Sequence, residues 1–192
     1  IHRHKDVLAH SIAVTAKTRP ERIVRLAALL HDIGKPRTRA IGPNGVSFHH
    51  HEVVGARMAR KRLQALRYSN DDVDAITTLI ELHLRFHTYK MGWTDSAVRR
   101  FVRDAGPYLD ELVELTRCDC TTRNVRKAQT LARRMDELEA RIEQLHEQEE
   151  LAALRPDLDG RQVMALLDLS PGPDVGRAME FLMELRLEEG AL

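Results

Sequence analysis

Apolar residues recur at three- and four-residue spacing along most of the chain, and nowhere do they alternate cleanly enough to read as a strand. From Lys5 to about Lys17 the stripe is Val7, His10 and Val14, so an imidazole points the same way as the apolar residues. Pro20 suits a first helical position, and Glu21 follows where the helix dipole favours an acid; this second helix carries the apolar run 23–30. Residues 36–47, with Gly42, Pro43, Asn44 and Gly45, read as a loop. A third helix runs from about His49 to about Leu66, with His51, Val54, Gly55 and Met58 on one face. Gly55 is a poor helix former, which predicts close approach of another backbone there. Asn70 is a good N-cap for a fourth helix, with Asp71 and Asp72 in its first turn and Ile76, Leu79, Ile80 and His83 as its buried stripe. Thr94 caps a helix to about Ala105, and Gly106-Pro107 starts the next, where Leu112, Leu115 and Asp119 share a face. A long helix then spans about 122–153, basic first and acidic afterwards, until Arg155-Pro156 ends it. Two short helices flank Ser170-Pro171-Gly172-Pro173. The pattern predicts an all-α bundle followed by a long helix and a small helical tail.

Composition sharpens this picture. Aromatics at 4% and charge at 31% of 192 residues point to helix-on-helix packing through Leu, Ala and Val. Net charge is +1, but 25 of the 30 Lys and Arg fall in residues 1–134 against 14 acids, a net of +11, and residues 135–192 carry −10. Nine of the ten histidines lie in the first 87 residues. A basic, histidine-rich half suits phosphates or nucleic acid as partners; its plain rival is a solvated charged surface. No apolar run approaches the roughly 20 residues of a membrane span, and no signal peptide opens the sequence. Cys118 and Cys120 suit neither a disulfide framework nor a zinc knuckle, so a reducing cytoplasm is the expected setting. The first residue, Ile1, leads us to expect a piece of a longer protein.

The candidate chemistry centres on Leu29-Leu30-His31-Asp32-Ile33-Gly34-Lys35. Imidazole and carboxylate together suit a divalent transition metal or a hard cation. Gly34, taken as the left-handed residue that stops a helix, would put the pair at a helix end. Lys35 adds a cation beside it for a phosphate. Four other segments each aim one ligand-type side chain inward: His10, His51, His83 and Asp119. Six such groups in one helical core cost desolvation energy of about 1–3 kcal/mol each unless coordinated or hydrogen-bonded. A metal centre satisfies them together; a hydrogen-bonded polar core is the other reading. Nitrogen and oxygen donors without thiolate favour a catalytic ion with open positions over structural zinc.

These residues resemble the HD-domain metal phosphohydrolases, whose pattern is a His, then His-Asp, then a distant Asp; His10, His31, Asp32 and Asp119 match it in order. Members with a second metal add two histidines between, where His51 and His83 stand. The blocks 48–52, 82–87, 93–100 and 119–124, and the tail segments 158–160, 171–176 and 185–190, are similar to the C-terminal half of CCA-adding tRNA nucleotidyltransferases and poly(A) polymerases of the actinobacterial type. His50 stands where that family would have glycine. The resemblance implies an HD phosphohydrolase domain over 1–122, and over 123–192 a long helix and tail resembling a tRNA-binding body. It implies one or two divalent ions (Mn, Ni, Co, Fe or Mg), with Asp32 bridging. Asp32, Lys35 and Asp119 are expected to serve catalysis, and Lys35, Arg85, His87, Arg123 and Asn124 to meet substrate phosphate. Arg126, Lys127, Arg133 and Arg134 would contact RNA. Expected substrates are phosphomonoesters or 2′,3′-cyclic phosphodiesters, including tRNA or RNA 3′ ends. The family's nucleotidyltransferase head needs a mixed sheet with paired aspartates, and no strand here could carry it, so no nucleotide addition is expected. The alternative is a non-catalytic tRNA-binding module with a vestigial site.

Overall fold

Short polar side chains and backbone geometry set where each helix begins. In the computed structural model, which describes residues 6–43, 45–91, 93–122, 124–153, 156 and 158–189, Asp6 opens α1 (Val7–Lys17) by accepting from the Leu8 and Ala9 N–H groups. Helix α2 (Arg22–Leu30) starts two residues beyond Pro20 and ends at His31. Residues 31–34 form a tight turn into the short α3 (Lys35–Thr38). Residues 36–47, read as loop, close instead with an antiparallel hairpin, β1 (Ala40–Gly42) against β2 (Gly45–Ser47), pairing Ile41 with Val46. Three-residue strands are too short to leave a period in sequence; Gly45, at φ +106°, supplies the conformation the reversal needs. Helix α4 (His51–Ala65) follows, then α5 (Asn70–Leu82). The α5 cap is Ser69, whose hydroxyl accepts from Asp72 N–H at 3.1 Å, and not Asn70, which already lies inside the helix. A 3₁₀ segment, Arg85–Met91, leads to α6 (Asp95–Ala105), capped by Thr94 as expected. Gly106–Tyr108 is a 3₁₀ turn before α7 (Leu109–Asp119). Helix α8 (Val125–Ala153) is capped by Asn124, which accepts from Lys127 N–H at 3.0 Å.

The chain divides into two compact units, 1–143 and 144–192, and α8 runs through the division. In the first unit α5 is the centre, packing on α2, α4, α6 and α7. Its stripe Ile76, Leu79 and Ile80 is fully buried, with Val24, Ala27 and Ala28 of α2 and Leu112 and Leu115 of α7 also in the core. Alanines at 27, 28, 56, 59 and 75 let helix axes come close where larger residues would hold them apart. Helix α8 joins this unit through Met135 and Leu138, both buried, and through Arg117 of α7, which donates to Asp136 and Glu139 at 2.6 and 2.7 Å. In the second unit α9 (Gly160–Leu167) opens on a capping box between Asp159 and Gln162 and packs on α10 (Pro173–Glu189). At 17 residues α10 is longer than the short helix the sequence pattern suggests. No helix of the described residues is long and apolar enough to cross a membrane.

Candidate metal centre

Helix ends bring the polar side chains together. His31 and Asp32 follow the last turn of α2, His51 opens α4, and His83 caps α5. Each of these three imidazoles donates from Nδ1 to the carbonyl three residues earlier: His31 to Ala28 at 2.7 Å, His51 to Phe48 at 2.7 Å, His83 to Ile80 at 2.6 Å. That bond assigns the Nδ1–H tautomer and leaves an Nε2 lone pair facing inward on every ring. Holding a histidine by a backbone acceptor on its far nitrogen is how metal-ligating imidazoles are usually oriented.

The lone pairs converge on Asp32, which is 1% exposed. Its Oδ1 lies 3.3 Å from His51 Nε2 and 4.0 Å from His83 Nε2. Its Oδ2 lies 3.4 Å from His31 Nε2, 3.6 Å from His10 Nε2 and 2.6 Å from Lys35 Nζ. Asp119, at the end of α7, joins the same cluster, with Oδ1 2.9 Å from His10 Nε2 and 3.5 Å from His31 Nε2. Two groups of three donors therefore fit around a common centre, His10–His31–Asp32 and Asp32–His51–His83, with Asp32 in both.

Whether a cation suits these residues can be tested on their hydrogen bonds. Asp32 Oδ1, His51 Nε2 and His83 Nε2 are buried without any hydrogen-bond partner. They are the three donor atoms of the second group, and each would cost about 1–3 kcal/mol if left unsatisfied. A divalent ion satisfies all three at once, and mixed nitrogen and oxygen donors suit borderline or hard divalent metals. Burial and then the neighbouring His31 push His83 down to about 4, so it is a neutral base ready to donate its lone pair at neutral pH. Burial opposes ionisation of Asp32, but His51, His31 and Lys35 outweigh it and hold the carboxyl well below the usual carboxylate range. Asp119 is likewise held down against its burial, by His10 and His31. His31 is pulled down by burial but raised overall by Asp119 and Asp32. The centre thus offers ionised carboxylates and imidazole lone pairs.

Glycines explain how α4 comes so near. Gly34 is not left-handed: its φ of −76° and ψ of −21° are helical. A Cβ there would stand 2.2 Å from the His51 carbonyl oxygen and 2.8 Å from Gly55 N. A Cβ on Gly55 would in turn stand 3.3 Å from Gly34 N, the close backbone approach its place in a helix foretold. His50 has φ 59° and ψ 25°, the left-handed region, which is why glycine suits that position. Its side chain is 84% exposed, with Nδ1 3.8 Å from Glu52, and points away from the donors.

A cavity of about 460 Å³ opens onto the cluster, lined by His10, Asp32, Lys35 and Asp119 on one side and by Lys127, Thr130, Leu131 and Arg134 of α8 on the other. His87 also lines it. Of the other residues singled out in sequence, Arg85 is not among the lining residues and pairs with Asp104 of α6. Asn124 spends its side-chain oxygen on the α8 cap. Arg126 and Arg133 are exposed, the latter 3.8 Å from Glu137, and Arg123 lies outside the described residues. Sequence reasoning missed Thr121, whose hydroxyl sits 3.1 Å from His10 Nδ1. It missed the aromatic walls Phe48 and Phe86 as well. Only the neighbourhood of Thr121 to Asp119 could have signalled the first.

Helices converging a His, a His-Asp pair and a distant Asp on one buried centre define a class, and the family model for the HD domain matches residues 7–144. The chain belongs to the HD domain family, whose members bind divalent metals. It is similar to the A-adding tRNA nucleotidyltransferase of Deinococcus radiodurans, 34% identical over 192 residues, which covers 95% of this chain and 43% of that protein. It is also similar to the CC-adding tRNA nucleotidyltransferase of Thermus thermophilus, 36% identical over 169 residues, 85% of this chain and 36% of the other. A Multifunctional CCA protein of Legionella pneumophila is 33% identical over 89 residues, 45% of this chain and 21% of that one. The chain spans less than half the length of these relatives.

Proposed function

We propose that this chain is a metal-dependent phosphohydrolase acting on phosphomonoesters or 2′,3′-cyclic phosphodiesters, with RNA 3′ ends among its substrates. The observation that carries the reading is the set of three orphaned buried donor atoms, Asp32 Oδ1, His51 Nε2 and His83 Nε2, beside a second group that shares Asp32. His10, His31, Asp32 and Asp119 would hold one ion, and His51 and His83 a second with Asp32 between them. Bound there, divalent ions supply Lewis acidity toward a phosphoryl oxygen and a nucleophilic water at neutral pH. The chain's own part is to place and neutralise the phosphate. Lys35, with its ammonium on Asp32 and at the cavity edge, meets the phosphate from the cluster side. Lys127 and Arg134 meet it from α8. Because the relatives are tRNA nucleotidyltransferases, we assign the exposed Arg126 and Arg133 of the same helix to the RNA backbone.

A vestigial tRNA-binding module is the competing reading, and it predicts lost ligands, whereas every donor position is filled. The deciding experiment gives the purified chain Mn²⁺, Ni²⁺ or Co²⁺ and a 2′,3′-cyclic nucleotide or a simple phosphomonoester. Cleavage is expected, chelation abolishes it, and Asp119→Asn lowers it strongly with the helical fold intact, since an amide is a poorer ligand of nearly equal volume. The same preparation is expected to add no nucleotide to tRNA. Absence of hydrolysis above the Asp119→Asn background on every such substrate leaves the binding module in its place.

A further inference from the structure

The two donor groups share Asp32 but not the same oxygen of it. Oδ1 faces His51 Nε2 and His83 Nε2, and these three atoms are buried with no hydrogen-bond partner. Oδ2 faces His10 and His31, and it already accepts from Lys35 Nζ at 2.6 Å. The nitrogens on that side are engaged as well: His10 Nε2 lies 2.9 Å from Asp119 Oδ1 and 3.3 Å from His31 Nε2. An ion entering among Oδ1, His51 and His83 breaks no contact. One entering among His10, His31 and Oδ2 must part His10 from Asp119, and it meets an ammonium on the oxygen it needs. Two cations on one buried oxygen repel strongly, because solvent is not there to screen them. Lys35 has another place to rest. Its side chain is 25% exposed at the cavity edge, and Nζ lies 6.0 Å from the centre of the Phe48 ring, within reach of a cation–π contact.

Resting on the metal-dependent reading above, we infer that Lys35 sets the order in which the centre fills. The Asp32–His51–His83 group takes its ion first, and the His10–His31–Asp32 group takes the other as Lys35 leaves Oδ2. A phosphate in the cavity draws that ammonium away, so phosphate and the later ion bind cooperatively. The coupling is reciprocal: the later ion, by displacing Lys35 from Asp32, raises the affinity for phosphate by the same factor. Lys35 is thus the link between ion loading and phosphate binding, beyond its direct contact with the phosphate.

Titrating the chelator-stripped chain with Mn²⁺, and reading free Mn²⁺ by its EPR signal, tests this without any turnover. The wild type is expected to show two classes of site about tenfold or more apart in affinity, and His51→Ala to lose the tighter one. Lys35→Met keeps most of the side-chain length and removes the charge, and it is expected to tighten the weaker class about tenfold. Methylphosphonate, a phosphate analogue with no ester to cleave, should tighten the weaker class in the wild type and leave Lys35→Met unmoved. The same variant corrects for Mn²⁺ held by the phosphonate in solution. A His51→Ala protein that keeps the tighter class reverses the order and overturns the inference. So does a wild type with equal classes or a single site, and so does a weaker class that either Lys35→Met or methylphosphonate fails to tighten. Should Lys35→Met not fold, the His51→Ala and methylphosphonate results still decide. If no Mn²⁺ binds, the metal-dependent reading fails by itself; if ions load in this order and no phosphoester is cleaved, the order stands and only the hydrolase reading falls.

Discussion

Replacing Gly34 by alanine is expected to damage one half of the centre and spare the other. The substitution asks nothing unusual of the Gly34 backbone, whose φ and ψ are helical. The obstacle is space: the new Cβ would lie 2.2 Å from the His51 carbonyl oxygen, 2.8 Å from Gly55 N and 3.1 Å from Gly55 Cα. All three are backbone atoms, so no side chain can rotate away. Ordinary non-bonded separation is about 3.5 Å, so the start of α4 must retreat by about 1 Å. Overpacking of this kind costs about 1–3 kcal/mol, and rigid neighbours put it at the upper end. The retreat carries His51 with it, taking its Nε2 from the 3.3 Å it keeps to Asp32 Oδ1. Urea denaturation should show a loss of about 2–3 kcal/mol, and metal analysis should show the His51–His83 group emptied with the His10–His31 group still loaded. Gly42→Ala is the control, since nothing lies within 4 Å of its Cβ position; it should stay within about 0.5 kcal/mol of wild type. A Gly34→Ala protein of unchanged stability and full metal content would refute the steric account of this contact.

Further outcomes follow from the same geometry. Asp32→Ala should empty both groups, whereas His51→Ala or His83→Ala should cost only the second ion, as read by metal analysis of purified protein. His50→Gly should stabilise by about 1 kcal/mol, because it relieves a left-handed non-glycine residue whose side chain is solvated; thermal unfolding checks this. In chelated protein, His83 is held near 4 while an unfolded histidine titrates near 6.5. Between those values the unfolded chain binds a proton the folded one refuses, so the His83 contribution to stability should fall as pH drops from about 6.5 toward 4, and below that Asp32 and Asp119, held under the usual carboxylate range, carry the decline further. Denaturation in chelator at several pH values measures this, and His83→Gln should flatten that part of the curve. Thr121→Val should loosen His10, lowering affinity at the His10–His31–Asp32 group with little change at the other, because it removes the 3.1 Å contact to Nδ1.

Much of this was readable in the chain because helices impose a period. His83 follows Ile76, Leu79 and Ile80 on one stripe, and Asp119 follows Leu112 and Leu115, so the direction of each polar side chain could be taken from its apolar neighbours. Gly55 inside a helix pointed to a close backbone contact, and one exists. What stayed hidden depends on long-range closure or on very short elements. The partner of Gly55 is Gly34, whose expected left-handed turn is an ordinary helical one needed for space. Arg85 sits in a promising sequence block but meets Asp104, nineteen residues later, a pairing no local pattern announces. The far wall of the cavity comes from α8, which is remote in sequence from the histidines. Ser69 and Asn70 are both good caps, and only the hydrogen bond to Asp72 tells them apart.

The carbonyl contacts of His31, His51 and His83 carry an evolutionary consequence. Each imidazole is aimed by main-chain oxygen three residues away, so no neighbouring side chain is needed to aim it. Residues facing the cavity, such as Phe48, Phe86 and Leu131, are then free to drift without turning these three donors. A lineage could retune what it recognises while inheriting its chemistry unchanged. His10 is the exception, because a hydroxyl from the 120–124 connection holds it. That connection leads directly into the α8 wall, so changes there are the ones by which recognition and reactivity must evolve together.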